Sequence, residues 1–102
     1  MTIITLEKEG NSYILIAKGH ANTDNSKDGG AVCNAVSILL QSFIQCLNDA
    51  GFKQQDAKAG NVTIKIPIDN TEINHYLCFA LTGLMLLEHK YPQYIKVSTP
   101  FG

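Results

Sequence analysis

Residues Asn61 to Lys90 read NVTIKIPIDNTEINHYLCFALTGLMLLEHK, and the change of rhythm inside this stretch decides the fold. Over Asn61–Ile68, Val62, Ile64 and Ile66 alternate with Thr63 and Lys65. A two-residue period sends one set of side chains to one face, as in a strand with one side buried. Asp69-Asn70-Thr71-Glu72 then breaks the alternation. An acidic residue with Glu three positions on is a variant of the capping box, with Asp in place of the usual Ser or Thr. It opens an apolar helix to about Lys90. Tyr91-Pro92 ends that helix, because the residue before proline avoids helical backbone. Gly83 inside it weakens it slightly, a substitution that suits close packing.

Working outward, Tyr94 to Ser98 reads as a last short strand, and Phe52 to Gly60 as a polar connection. From Ala31 the period is helical: Val32, Val36, Leu39, Leu40, Phe43 and Leu47 share one stripe, and Gly51 is a natural stop. Thr2–Leu6 and Tyr13–Lys18 are β-rich and read as a hairpin turning at Gly10 and Asn11. Asn22 to Gly30 is small, polar and aperiodic, and reads as a surface loop. The order β-β-α-β-α-β predicts an α+β two-layer sandwich: a four-stranded sheet with two helices on one face, in a single domain over residues 1–102. The second helix is apolar around much of its girth. A two-layer domain cannot bury every side of it, so a second copy of the chain is expected against it, as a homodimer.

Composition narrows the function. The chain has 102 residues, 45% hydrophobic, with a formal net charge of −1. One core fits that length. All eight basic residues are lysine, so the bidentate fork used on phosphates is missing. With no basic excess, no Trp and 8% aromatic residues, no direct nucleic-acid binding is expected. The acidic N-terminal stretch does not resemble a signal peptide, and no uninterrupted apolar run spans a bilayer, so no membrane partner is expected. Three unpaired-looking cysteines, Cys33, Cys46 and Cys78, suit a reducing cytoplasm.

The pair that could carry chemistry is His20 and Cys33. His20 follows a strand end, and Cys33 falls in the first turn of the expected helix. A thiol attacks as thiolate, which helix-terminal N–H groups favour and a neighbouring imidazole can generate. The same N–H groups could steady an oxyanion. The competing reading is that Cys33 is a small buried apolar side chain, as most helical cysteines are. Cys46, near a helix end, and Cys78, within an apolar run, read as structural, with Cys78 in the core. His75 and Cys78 share a helix face but lack further ligands at metal spacing, so no metal is expected. Asp24, Asp28, Asp49 and Asp56 form no catalytic pair, and Gly29-Gly30 is too short for a phosphate loop. No cofactor is implied.

Gly19-His20-Ala21, a polar loop, and Ala31-Val32-Cys33-Asn34-Ala35-Val36-Ser37 resemble the ribosomal-processing cysteine protease family, Prp. The second helix with Gly83 and the ending Tyr91-Pro92-Gln93-Tyr94-Ile95-Lys96-Val97 are also similar, so the resemblance spans nearly the whole chain. It implies a cytoplasmic homodimeric cysteine protease of bacteria that removes a short N-terminal extension from a large-subunit ribosomal protein. It makes His20 the base and Cys33 the nucleophile, and it matches Ser37 to the family's motif serine. The family's Asp three before the Cys falls on Gly30, and Asn34 stands where the family has Ala. Asp28 either takes over the Asp position or its contribution is absent. Asp28, Gly29 and Gly30 are thereby expected in a substrate-admitting loop, with a peptide N-terminus as partner. The alternative is a non-catalytic dimeric module that binds a ribosomal protein or another peptide.

Overall fold

Strands β1 (Thr2–Glu9) and β2 (Ser12–Lys18) pair antiparallel from Ile3–Lys18 to Glu9–Ser12, leaving a two-residue turn at Gly10–Asn11. Gly10 sits there at φ 59°, a region that favours glycine. This computed structural model describes residues 1–20, 26–53, 56–58 and 61–101. Helix α1 (Lys27–Asp49) follows the hairpin, then β3 (Asp56–Lys58), β4 (Asn61–Pro67), helix α2 (Thr71–Lys90) and β5 (Ile95–Ser98). The spatial order is β3-β4-β2-β1-β5, with β5 parallel to β1 and the other pairs antiparallel. The expected four strands and two helices are all present. The one addition is the three-residue β3, which adds a short edge pair beside β4 within the stretch expected as a connection.

Register explains why the helices share one face. Ile4 pairs with Ala17, Leu6 with Leu15, Leu15 with Ile64 and Thr2 with Ile95, so these side chains lie on the same side of the sheet. All are buried, and all but Thr2 belong to one core with Val32, Val36, Leu40, Phe43 and Leu47 of α1 and Ile73, Leu77, Ala80, Leu81 and Leu84 of α2. Both helices therefore cover that face. α1 is long and apolar enough for a bilayer span by length and composition, which amends the sequence expectation. Here its apolar stripe packs on the sheet.

The helices meet at Gly83. A Cβ there would stand 3.0 Å from both methyl groups of Leu39, so the glycine admits that leucine. α1 ends as expected: Gly51 at φ 93° donates to the Asn48 carbonyl, and Phe52 N–H to Leu47, which satisfies the last carbonyls. The start of α2 corrects the sequence reading by one residue. Asn70, not Asp69, is the N-cap, and its Oδ1 accepts from Ile73 N–H at 3.0 Å. The outer N–H of Val97 on edge strand β5 donates to Glu88 Oε2 at 2.8 Å, so that edge is partly sealed.

α2 keeps an apolar face turned outward. Phe79 is 76% and Leu86 65% exposed, with Met85 beside them. Cys78 is exposed as well, which corrects its expected place in the core. It falls on a flank of α2, where it lines a surface pocket with Leu81, Tyr13 of β2 and Phe101.

Candidate active site

Gly19 sits at the exit of β2 with φ 89°. A Cβ at this position would run into the Met1 carbonyl oxygen, so conformation and space both require glycine. The turn delivers His20, an exposed residue, to the end of the sheet where β1 begins. Its backbone is pinned there. The Met1 ammonium donates to the His20 carbonyl at 3.0 Å, and Thr2 Oγ1 donates to the Gly19 carbonyl at 3.5 Å. Ala21 and residues 22–25 of the expected loop lie outside the described residues.

The helix that carries Cys33 begins earlier than its sequence pattern suggests. Ser26 is its N-cap, with Oγ accepting from Gly29 N–H at 2.9 Å, and Gly30 N–H donates to the Ser26 carbonyl at 3.1 Å. Asp28, Gly29 and Gly30 are therefore wound into the helix and are not loop residues. Glycine pairs disfavour helix, which is why the stretch read as loop. The cap and its tertiary partner override that preference. Ser26 Oγ also donates to the Tyr94 hydroxyl at 2.8 Å, across 68 residues of sequence. Thr2 N–H donates in turn to the Tyr94 carbonyl at 2.9 Å. A chain of hydrogen bonds thus links the start of α1, Tyr94, the start of β1 and the backbone of His20 at one end of the sheet.

Cys33 is the seventh residue of α1, not a first-turn residue. It is half-buried and packs against the core. Its N–H lies within the helical ladder, and the first N–H groups of the helix, those of Lys27 and Asp28, are about 7.5–9 Å back along the axis. Among the described residues, no hydrogen bond joins the His20 ring to Cys33 Sγ. Ser37 lies one turn beyond Cys33 on the same face. It is exposed and accepts from Gln41 Nε2 at 2.9 Å. Cys46 is half-buried towards the far end of the helix. Ser26 and Tyr94 escaped the sequence reading. Ser26 two residues before Asp28, a cap with an acid in the first turn, was the available signal.

The chain is thus a small α+β domain with a histidine at a strand exit and a cysteine on the following helix, and its class is that of the small cysteine proteases. The model of the family described as cysteine protease Prp matches residues 1–96, and the chain belongs to that family. A search of curated protein sequences gives no match. Among solved structures, the chain is similar to SMU.848 from Streptococcus mutans, with a TM-score of 0.75 and 19% identity, covering 97% of this chain and 93% of that one. It is also similar to the essential ribosomal processing protease Prp from S. aureus with a covalently linked product peptide. There the TM-score is 0.71 at 23% identity, with 96% of each chain covered. The same S. aureus protease with a substrate peptide gives a TM-score of 0.69 at 22% identity. The protein is thus a cysteine protease, which favours that reading over a non-catalytic module.

Proposed function

We propose that the protein cleaves a peptide bond with His20 as base and Cys33 as nucleophile. His20 takes the thiol proton, and the sulfur forms a bond to the scissile carbonyl carbon. The C–N bond breaks as the imidazolium returns the proton to the leaving amine, and water then hydrolyses the thioester to free Cys33. The observation that carries this reading is the Gly19-His20 and Val32-Cys33 pairing within a chain matched to the family over residues 1–96. The exposed ring at a rigidly anchored strand exit suits a base that must reach a substrate, and catalytic contacts often close only when substrate binds.

The substrate we assign is an extended N-terminal segment of a large-subunit ribosomal protein, cut in the cytoplasm. The supports are the family resemblance and the substrate peptide bound by the S. aureus relative. Asp28 and Ser37 are both exposed on α1; Ser37, one turn beyond Cys33 on the same face, would border that peptide. The outward Phe79, Met85 and Leu86 support a homodimer through α2. Sedimentation at micromolar concentration should show it, and a monomer would remove that part.

The test uses a peptide carrying the N-terminal extension of the ribosomal protein from the same organism. Cys33→Ala and His20→Ala should each lower cleavage by at least ~10³-fold while circular dichroism stays native. Cys46→Ala and Cys78→Ala should cleave at the wild-type rate. Cleavage by Cys33→Ala at the wild-type rate overturns the assignment.

A further inference from the structure

Gly30 is not explained by the structure that contains it. Its φ is not in the left-handed region, and among the described residues no atom beyond its own stretch of helix lies within 4 Å of where a Cβ would stand. Alanine would fit and would make a better helix. Gly29 precedes it, so two of the first four residues of α1 are the weakest helix formers apart from proline. Position 30 therefore holds a residue that this helix does not need.

A second oddity lies three residues on. Acyl transfer requires donors for the oxyanion next to the nucleophile. Here Cys33 is the seventh helical residue and its own N–H is engaged. The helix would have to begin at Ala31, with Gly30 as its cap, for the N–H groups of Ala31, Val32 and Cys33 to be free. That start is the one the apolar stripe from Val32 asks for. What holds the extra turn wound is Ser26, which accepts from Gly29 N–H through its side chain and from Gly30 N–H through its carbonyl. Ser26 is itself tied to the Tyr94 hydroxyl.

We infer that residues Lys27–Gly30 form a two-state turn: wound and latched through Ser26 and Tyr94 in this structure, and unwound about Gly30 in the state that attacks substrate. In the unwound state Cys33 stands at a helix N-terminus, where its thiolate is favoured and three N–H groups are available. Tyr94 is then a positioning residue that sets how often Cys33 is competent. The inference rests on Cys33 being the nucleophile, but its test does not depend on finding the substrate.

The measurement is the rate at which iodoacetamide alkylates each cysteine of the full chain, resolved by mass spectrometry. Gly30→Ala favours the wound turn and should slow Cys33 about five-fold, while raising Tm by roughly 4 °C. Tyr94→Phe removes the latch and should speed Cys33 about five-fold. The double variant should return near the wild-type rate. Cys46 and Cys78 should keep their rates in all three, which a general loosening of the fold would not allow. Unchanged Cys33 rates, or Cys33 moving in step with Cys46 and Cys78, overturn the inference, as does a lower Tm in Gly30→Ala. Cleavage of the ribosomal-protein peptide by the same variants separates the two readings. Opposite shifts in alkylation without any wild-type cleavage keep the turn and sink the assigned substrate. Cleavage with invariant alkylation keeps the protease and sinks the turn.

Discussion

The two helices of this domain start in contrasting ways. At α2, Asn70 Oδ1 accepts from Ile73 N–H, the Asn70 carbonyl accepts from Asn74 N–H, and the Asn74 side chain donates back to the Ile68 carbonyl. Ile73, the third helical residue, is fully buried. At α1, Ser26 makes the corresponding two capping bonds, but the third and fourth helical residues are Gly29 and Gly30. The first large apolar side chain of α1 is Val32, the sixth residue. Similar capping chemistry thus closes one start with a core anchor and the other without one. A cap supplies direction and a little free energy. What makes a turn permanent is the apolar side chain buried inside it. The start of α2 is framework, while the start of α1 can be spent on function.

The sharpest way to break this contrast is to remove the anchor. Ile73→Ala deletes three buried carbons and should destabilise the whole domain by about 2–5 kcal/mol, measured by urea unfolding. A loss under 1 kcal/mol would mean that the start of α2 is not held by its burial.

A smaller effect sharpens the contrast from the other side. Asn70→Ala should lower global stability by about 1 kcal/mol, since α2 must remain wound to keep Ile73 inside. Ser26→Ala removes the same kind of bond, and the Tyr94 contact with it. It should nonetheless lower global stability less, because Lys27–Gly30 can fray at low cost while Val32 stays packed. Amide hydrogen exchange should then rise over residues 27–33 alone. Equal losses in Tm for the two variants, with no local exchange, would erase the distinction.

The same contrast decides what the sequence could reveal. Asn61–Pro67 was legible because one covered sheet face imposes strict alternation, and α2 ended where Tyr91-Pro92 required. The stripe from Val32 to Leu47 gave α1, its burying face and its Gly51 stop. His20 and Cys33 were legible as residue types and as a family pattern. The first turn of α1 was not, because its winding depends on Tyr94, 68 residues away from Ser26, while Gly29-Gly30 argues locally against helix. Asp69 and Asn70 are both good caps, and burial of Ile73 makes the choice between them. β3 exists through pairing with β4, and a polar stretch carries no such signal. Cys78 read as core because its neighbours are apolar, yet α2 turns that flank outward.

The smallest expected effect lies on the exposed side of the first turn of α2, where the Tyr76 hydroxyl donates to Glu72 Oε1 at 2.6 Å. Among the described residues nothing of the kind clasps α1 at Asp28, whose counterpart four residues on is Val32. The hydrogen bond to Glu72, and then the negative charge of that carboxylate, hold the Tyr76 phenol above its ordinary range. A group whose folded pKa is raised adds stability below its unfolded value, about 10 for tyrosine, and loses it as pH rises through the folded value. Tyr76→Phe should therefore lower Tm slightly at pH 8, and the difference from wild type should shrink as the pH is raised above 10. Ultraviolet difference titration of wild type against Tyr76→Phe should show Tyr76 ionising above the ordinary tyrosine value, and Glu72→Gln should lower it. If Tyr76 ionises at the ordinary tyrosine value, the clasp is absent in solution, and the start of α2 rests on Asn70 and Ile73 alone.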